Sequence, residues 1–258
     1  QLEYLNIQDT ALRVYYLKPT QYPKLNRLYL YLNDCGVHQV DLSGNPLLQP
    51  VGIHSNRDIV FINLNGCSRL ETLSVIGTGV GSLDCGACTA LKTLRVYSNY
   101  SLTELDLSSC KELEDVDCHD NRLQMLNVVG LEKLDILYCN DNRYLTTLDL
   151  TGLVNLWDLQ CQGNRIEWLN LEESPLLAEL VKTAEPVETS GKLDYAGTVE
   201  TADGSEYCYL TMDAGVYVPE GTSSELPLNA GFFPDKAFRN YLSGTYDRDG
   251  SGTLSSKE

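Results

Sequence analysis

The stretch LKTLRVYSNYSLTELDLSSC (residues 91–110), with LEDVDCHDNRLQMLNVVG (113–130) and LDILYCNDNRYLTTLDLTG (134–152) behind it, decides the fold. Each runs L-x-x-[Leu or Val]-x-[aliphatic or Cys]-x-x-Asn and closes on L-x-[aliphatic or Cys] about a dozen residues later. Working outward, the opening leucine recurs at Leu2, Leu25, Leu48, Leu70, Leu91, Leu113, Leu134 and Leu156, with a ninth copy decaying from Leu177. The step shortens from 23 to 21 or 22 residues, and a constant period of that size means a solenoid. One repeat holds too few apolar residues to bury its own face, so neighbours stack and each leucine column becomes a ridge of one continuous core.

In register, Leu94, Val96 and Asn99 return as Val116, Cys118 and Asn121, then as Leu137, Cys139 and Asn142. The aliphatic members alternate at period two, as a strand with one buried face requires. The asparagine column (Asn33, Asn56, Asn99, Asn121, Asn142 and Asn164, with Thr10 and Thr78 as variants) sits where the chain leaves the strand. A buried amide there can both donate to and accept from the turning backbone, so the column reads as scaffold. A second column, Asp41, Asn63, Asp84, Asp106, Asn127, Asp149 and Asn170, falls between the apolar residues of the second half-repeat and points outward. Carboxylates stacked about 4.8 Å apart could chelate a cation. The simpler reading is that each side chain hydrogen-bonds the backbone of the next rung, as Asx side chains readily do.

These residues resemble the leucine-rich repeat family, and more narrowly its bacterial 21-residue subtype with a nested L-x-x-L-D-L half. The resemblance covers residues 1 to about 183. It implies an α/β-type repeat: a mostly β, right-handed solenoid with few helices, over residues 1–183. The chain begins inside a repeat, so a processed or excised piece, with any signal peptide or N-terminal cap outside it, is expected.

With 36 acidic against 19 basic residues, the chain of 258 carries a net charge of −17. That argues against nucleic-acid backbones and anionic membrane surfaces. No apolar run approaches the 18 residues of a membrane-spanning helix. Seven of the nine cysteines follow the register: Cys118, Cys139 and Cys161 in the inward aliphatic column, Cys67, Cys88 and Cys110 in a later turn column, Cys85 in an aliphatic position. They read as small hydrophobes with free thiols, because parallel Cβ vectors one rung apart suit a disulfide poorly.

After Thr183 the leucine period ends. VETADGSEYCYLTM (199–212) has Asp203-Gly204 between β-rich runs, a hairpin signal, and Gly215 opens another short strand. Residues 184–229 form a β-rich cap over the ladder's end or, as GTSSELP (221–227) suggests, a linker. The segment 230–258 reads as a helix plus an incomplete EF-hand-like loop. FFPDKAFRNYLSGTY supplies the helix, and DRDGSGTLSSKE places Asp247, Asp249, Ser251, Thr253, Ser255 and Glu258 at positions 1, 3, 5, 7, 9 and 12. Asp247, Asp249, Ser251, Thr253 and Glu258 are the candidate calcium ligands, and an empty EF-like turn is the alternative. This segment also resembles a module that accompanies leucine-rich repeats in secreted proteins of anaerobic, often gut-dwelling bacteria. Dockerins carry related loops in pairs, and this chain shows one.

No G-x-S-x-G, H-E-x-x-H or P-loop is present, and pairs such as Asp115 and Asp117 read as solvated carboxylates, so no enzyme is expected. The recognition surface is the concave strand face. Tyr29, Tyr31, His54, Arg95, Tyr97, His119 and Tyr138 are its candidate ligand-binding residues, because tyrosine and arginine bring contact area at modest entropy cost. Its later half is acidic, favouring a partner with a basic patch. The expected function is a secreted or cell-surface bacterial protein that binds a protein, with glycan as second choice. Its alternatives are a spacer stiffened by calcium, or an accessory domain of a larger surface protein or enzyme.

Overall fold

A computed structural model of the chain describes residues 2–8, 14–19, 22–32, 36–202, 204–216 and 218, with the backbone of 226–227 and 253–254. The first halves of the repeats form strands β1 (Tyr4–Gln8), β3 (Arg27–Tyr31), β5 (Pro50–His54), β7 (Thr72–Ile76), β8 (Thr93–Arg95), β10 (Asp115–Asp117), β12 (Ile136–Tyr138) and β13 (Asp158–Gln160). They pair in parallel, one after another, in a single sheet. The second halves form β2 (Tyr16–Leu17), β4 (Gln39–Asp41) and β6 (Phe61–Asn63) in one parallel sheet, and β9 (Glu104–Asp106) with β11 (Met125–Asn127) in another. The chain is therefore a mostly β solenoid, the fold that the leucine-rich repeat pattern implies.

Register follows the leucine columns. Leu28 pairs with Val51, Leu73 with Leu94, Leu94 with Val116, Val116 with Leu137, and Leu137 with Leu159. All of these are buried, and with the second-half leucines they make one unbroken core. A one-residue slip would turn every such side chain to solvent, which is why the pairing is so uniform.

The asparagine column does what a buried amide at a turning backbone must do. Asn142 Nδ2 donates to the carbonyls of Cys139 in its own rung and Cys118 in the preceding one, both at 3.0 Å, while its Oδ1 accepts from Leu123 N at 3.1 Å. Asn121 and Asn164 donate to the equivalent carbonyls, and Thr78 gives both its N–H and its hydroxyl to Asn99 Oδ1. The Asx column differs from expectation in one respect. Asp41, Asn63, Asp84, Asp106, Asn127, Asp149 and Asn170 each accept a backbone N–H from two residues further along their own rung, not from the next rung. The chain turns immediately after each, which brings its own N–H nearer than the neighbour's. Among the described residues no group of three or more His, Cys, Asp or Glu is arranged to hold a metal.

The ninth copy is where tertiary structure departs from the repeat. Residues Pro175–Thr183 form helix α1, the single helix among the described residues. Pro175 suits a first helical turn, LLAELVK is rich in strong helix formers, and Leu177 and Leu180 share the buried face at i, i+3 spacing. The ladder continues instead through a later segment. Strands β14 (Val187–Thr189), β15 (Lys192–Thr201) and β16 (Gly204–Asp213) form an antiparallel unit, and β16 pairs in parallel with β13, setting Leu210 beside Leu159. Asp213 then stands in for the missing asparagine. Its two carboxylate oxygens accept from Gly163 N at 3.0 Å and Asn164 N at 3.2 Å, closing the ladder.

Of the candidate calcium segment, the described part is a backbone pair: β17 (Leu226–Pro227) runs antiparallel to β18 (Thr253–Leu254). Asp247, Asp249, Ser251 and Glu258 lie outside the described residues.

Candidate functional site

Strand alternation turns three columns of the long sheet away from the core. The middle one runs Asn6, Tyr29, Gly52, Ser74, Arg95, Asp117, Tyr138, Gln160 and, on β16, Thr211. The candidate residues share this face but gather in two groups, with the β7 rung between them.

Tyr29, Tyr31 and His54 make the first group. The Tyr29 ring lies against Gly52, where a Cβ would come within 2.9 Å of its Cδ1, so the glycine makes room for it. Tyr4 meets the same ring at a centroid distance of 6.1 Å. Tyr31 packs its ring against His54 at 4.9 Å and 89°. His54 Nε2 lies 2.7 Å from Ser74 Oγ, and burial holds the imidazole below its ordinary pKa and so favours the neutral ring. A hydroxyl beside an imidazole is the start of a nucleophilic pair, but among the described residues no carboxylate bonds to His54 to orient it. The contact holds the His54 ring and the Ser74 hydroxyl against each other on the outward face.

Arg95, Tyr97, His119 and Tyr138 make the second group. Both terminal guanidinium nitrogens of Arg95 reach the two oxygens of Asp115, and that bond raises the Arg95 pKa further. His119 Nδ1 lies 2.5 Å from Asp117 Oδ1, and the imidazole stacks on Tyr97 at 4.5 Å and 19°. Asp115 and Asp117 are thus half-buried and paired, not simply solvated as the sequence suggested, because each finds a cationic or imidazole partner on or beside its own strand. Tyr138 donates its hydroxyl to Asp158 Oδ2 at 2.6 Å, and burial, then this bond, push its phenol well above the ordinary range.

Sequence reasoning missed two members of this face. β16 joins the sheet as a ninth rung, so Tyr209 stands in register beside Asp158, with Tyr207 5.0 Å from it between ring centroids. Both are exposed, at 42% and 52%. The alternation Tyr207-x-Tyr209-x-Thr211 signals a strand, but a sequence does not say which sheet a strand joins. A separate cavity of about 620 Å³, lined by residues including Asp149, Arg165, Glu167 and Trp168, lies among the second half-repeats and shares no residue with these columns.

No protein-family model and no curated protein matches the chain. Among solved structures it is similar to the functional domain of InlJ from Listeria monocytogenes, described as including a cysteine ladder. The identity is 23% and the TM-score 0.41, over 68% of this chain and 52% of that one. The chain thus spans about half the length of that structure. Its fold is established by the strand register described above.

Proposed function

We propose that the chain is the recognition domain of a secreted or cell-surface bacterial leucine-rich-repeat protein of the 21-residue nested subtype, binding a protein through the concave face of its long sheet. One observation carries this reading: exposed tyrosines occupy both ends of a nine-rung sheet whose other face packs into the core. Tyr4 is 50% exposed and Tyr31 36%, in addition to Tyr207 and Tyr209 at the far end. Tyrosine favours strands, but rings left this exposed leave much of their area uncovered, and interfaces use such rings as anchors. Glycans, which also stack on tyrosine, are the second ligand class. The reading is of a non-catalytic protein, as is usual for this type of solenoid. No helix among the described residues is long and apolar enough to cross a membrane.

The test is a screen of host ectodomains and a glycan array with the wild type and a Tyr29→Ala/Tyr31→Ala/Tyr97→Ala variant. A protein hit weakened at least about tenfold in the variant is expected. Silence of both proteins across the screen would favour a structural spacer or an accessory domain of a larger protein.

The spacer reading draws its support from the calcium-loop motif. Asp247, Asp249, Ser251, Thr253 and Glu258 would hold the ion, and affinity should sit near the ~10⁻⁴–10⁻³ M of extracellular modules. Calorimetry with calcium is expected to show binding that Asp247→Ala abolishes. Equal heats from the two proteins would dismiss the site.

A further inference from the structure

Negative charge collects at the C-terminal end of the long sheet. Asp115 and Asp158 stand on either side of Ile136 in one outward column. Asp135 is held above the ordinary carboxylate range by burial and then by Glu114, Glu206 and Asp115, so strand β16 brings a carboxylate of its own to the group. Positive charge is sparse: Arg95 is committed to Asp115 by both guanidinium nitrogens. Asp158 is the most deprived member. It is 6% exposed, Tyr138 serves its Oδ2, and its Oδ1 is buried with no hydrogen-bond partner among the described residues.

A buried carboxylate oxygen without a donor is destabilising, and such exceptions gather at functional sites. The surroundings say what kind of donor. Tyr209 stands beside Asp158 in register, and Tyr207 and Tyr209 present exposed rings to each other at 60°. Carboxylates backed by further carboxylates and bordered by tyrosine faces suit an ammonium or guanidinium, which gains from both the charge and the ring quadrupoles. A metal ion fits less well, since no three of these groups are arranged as ligands among the described residues.

We propose that this end of the sheet is a cation subsite, where a protein partner inserts a lysine or arginine side chain against Asp158 Oδ1, with Tyr207 and Tyr209 packing along its stem. The proposal rests on the reading of this face as a protein-binding surface. Asp158 Oδ1 is closed to solvent in the free chain, so docking turns a neighbouring ring aside. Tyr209, exposed on the ninth rung, has room to do so.

Calorimetry of the whole chain with an arginine-rich nonapeptide and its uncharged citrulline counterpart tests this. The arginine peptide is expected to bind at least about tenfold more tightly than the citrulline one. Asp158→Asn should cut that preference severalfold while raising Tm by about 2 to 4 °C, since it removes a buried carboxylate oxygen that has no donor. Tyr209→Ala should weaken the arginine peptide severalfold, and Asp149→Asn, in a second half-repeat, should change nothing. Undiminished preference in a folded Asp158→Asn protein, or no preference in the wild type, overturns the subsite. If Tyr29→Ala/Tyr31→Ala/Tyr97→Ala abolishes a protein interaction that Asp158→Asn leaves intact, the binding face stands and the cation subsite alone falls.

Discussion

Asn142→Ala is expected to destabilise the solenoid by about 3 to 5 kcal/mol, far more than its size suggests. The side chain serves Cys118 O, Cys139 O and Leu123 N; the two carbonyls also accept from Asn121 and Asn164, so Leu123 N is the buried group that the substitution deprives of its acceptor. A buried N–H left unsatisfied costs about 1 to 3 kcal/mol, and each of the two hydrogen bonds lost to a carbonyl that keeps another donor costs about 0.5 to 1.5 kcal/mol. Against the ~5 to 15 kcal/mol of a whole domain, that loss is large. Because stability in a stacked array is carried by neighbouring pairs, unfolding should begin at rungs β10, β12 and β13. Urea denaturation followed by hydrogen exchange measures both. Asn142→Thr should recover part of the loss, since Thr78 already fills this column with a donor to the following asparagine. A cost below about 1 kcal/mol for Asn142→Ala would show that the column is ornamental.

The second large effect concerns the thiols. All eight described cysteines are buried and free, with Cys118, Cys139 and Cys161 stacked in successive rungs of the inward column. Burial pushes the Cys67 thiol up to about 11 and that of Cys88 up to about 12. At pH 8 the Cys88 thiolate is then about a thousandfold scarcer than that of an ordinary cysteine, before shielding is counted. An aromatic disulfide reagent should therefore leave these eight thiols untouched in the native chain. After denaturation without reductant it should titrate all nine cysteines. Rapid reaction of two or more in the native state would contradict the burial, and fewer than about seven after denaturation would mean that disulfides had formed.

Much of the fold was legible because a repeat states each structural demand many times. The leucine columns specified strand register from Leu5 to Leu159, and the asparagine column specified its own buried role. Reading failed where the demand was stated once. The segment after Leu171 keeps leucines near the repeat spacing, yet Pro175 and the following strong helix formers turn it into α1, since local propensity prevails once the full motif is lost. The Asx side chains bond within their own rung because a turn following each residue is closer than any neighbouring strand.

The same division runs through the candidate site. The outward placement of Tyr29, Tyr31, His54, Arg95, Tyr97, His119 and Tyr138 was legible in the sequence because strand alternation decides which side chains leave the core. Their partners were not: that Arg95 holds Asp115, and that His119 rests between Asp117 and Tyr97, depends on rotamers and on distances between rungs. Period and alternation, being properties of short stretches, were determined by the sequence alone. The ninth rung was decided only by tertiary structure. Helix α1 diverts the chain, β16 returns to pair with β13 across about fifty residues, and Asp213 and Tyr209 arrive at the ladder's end together. Such a long-range pairing is selected by the open edge it closes; a cap over the ladder's end was one of two readings of residues 184–229, and no local pattern records which strand takes that edge.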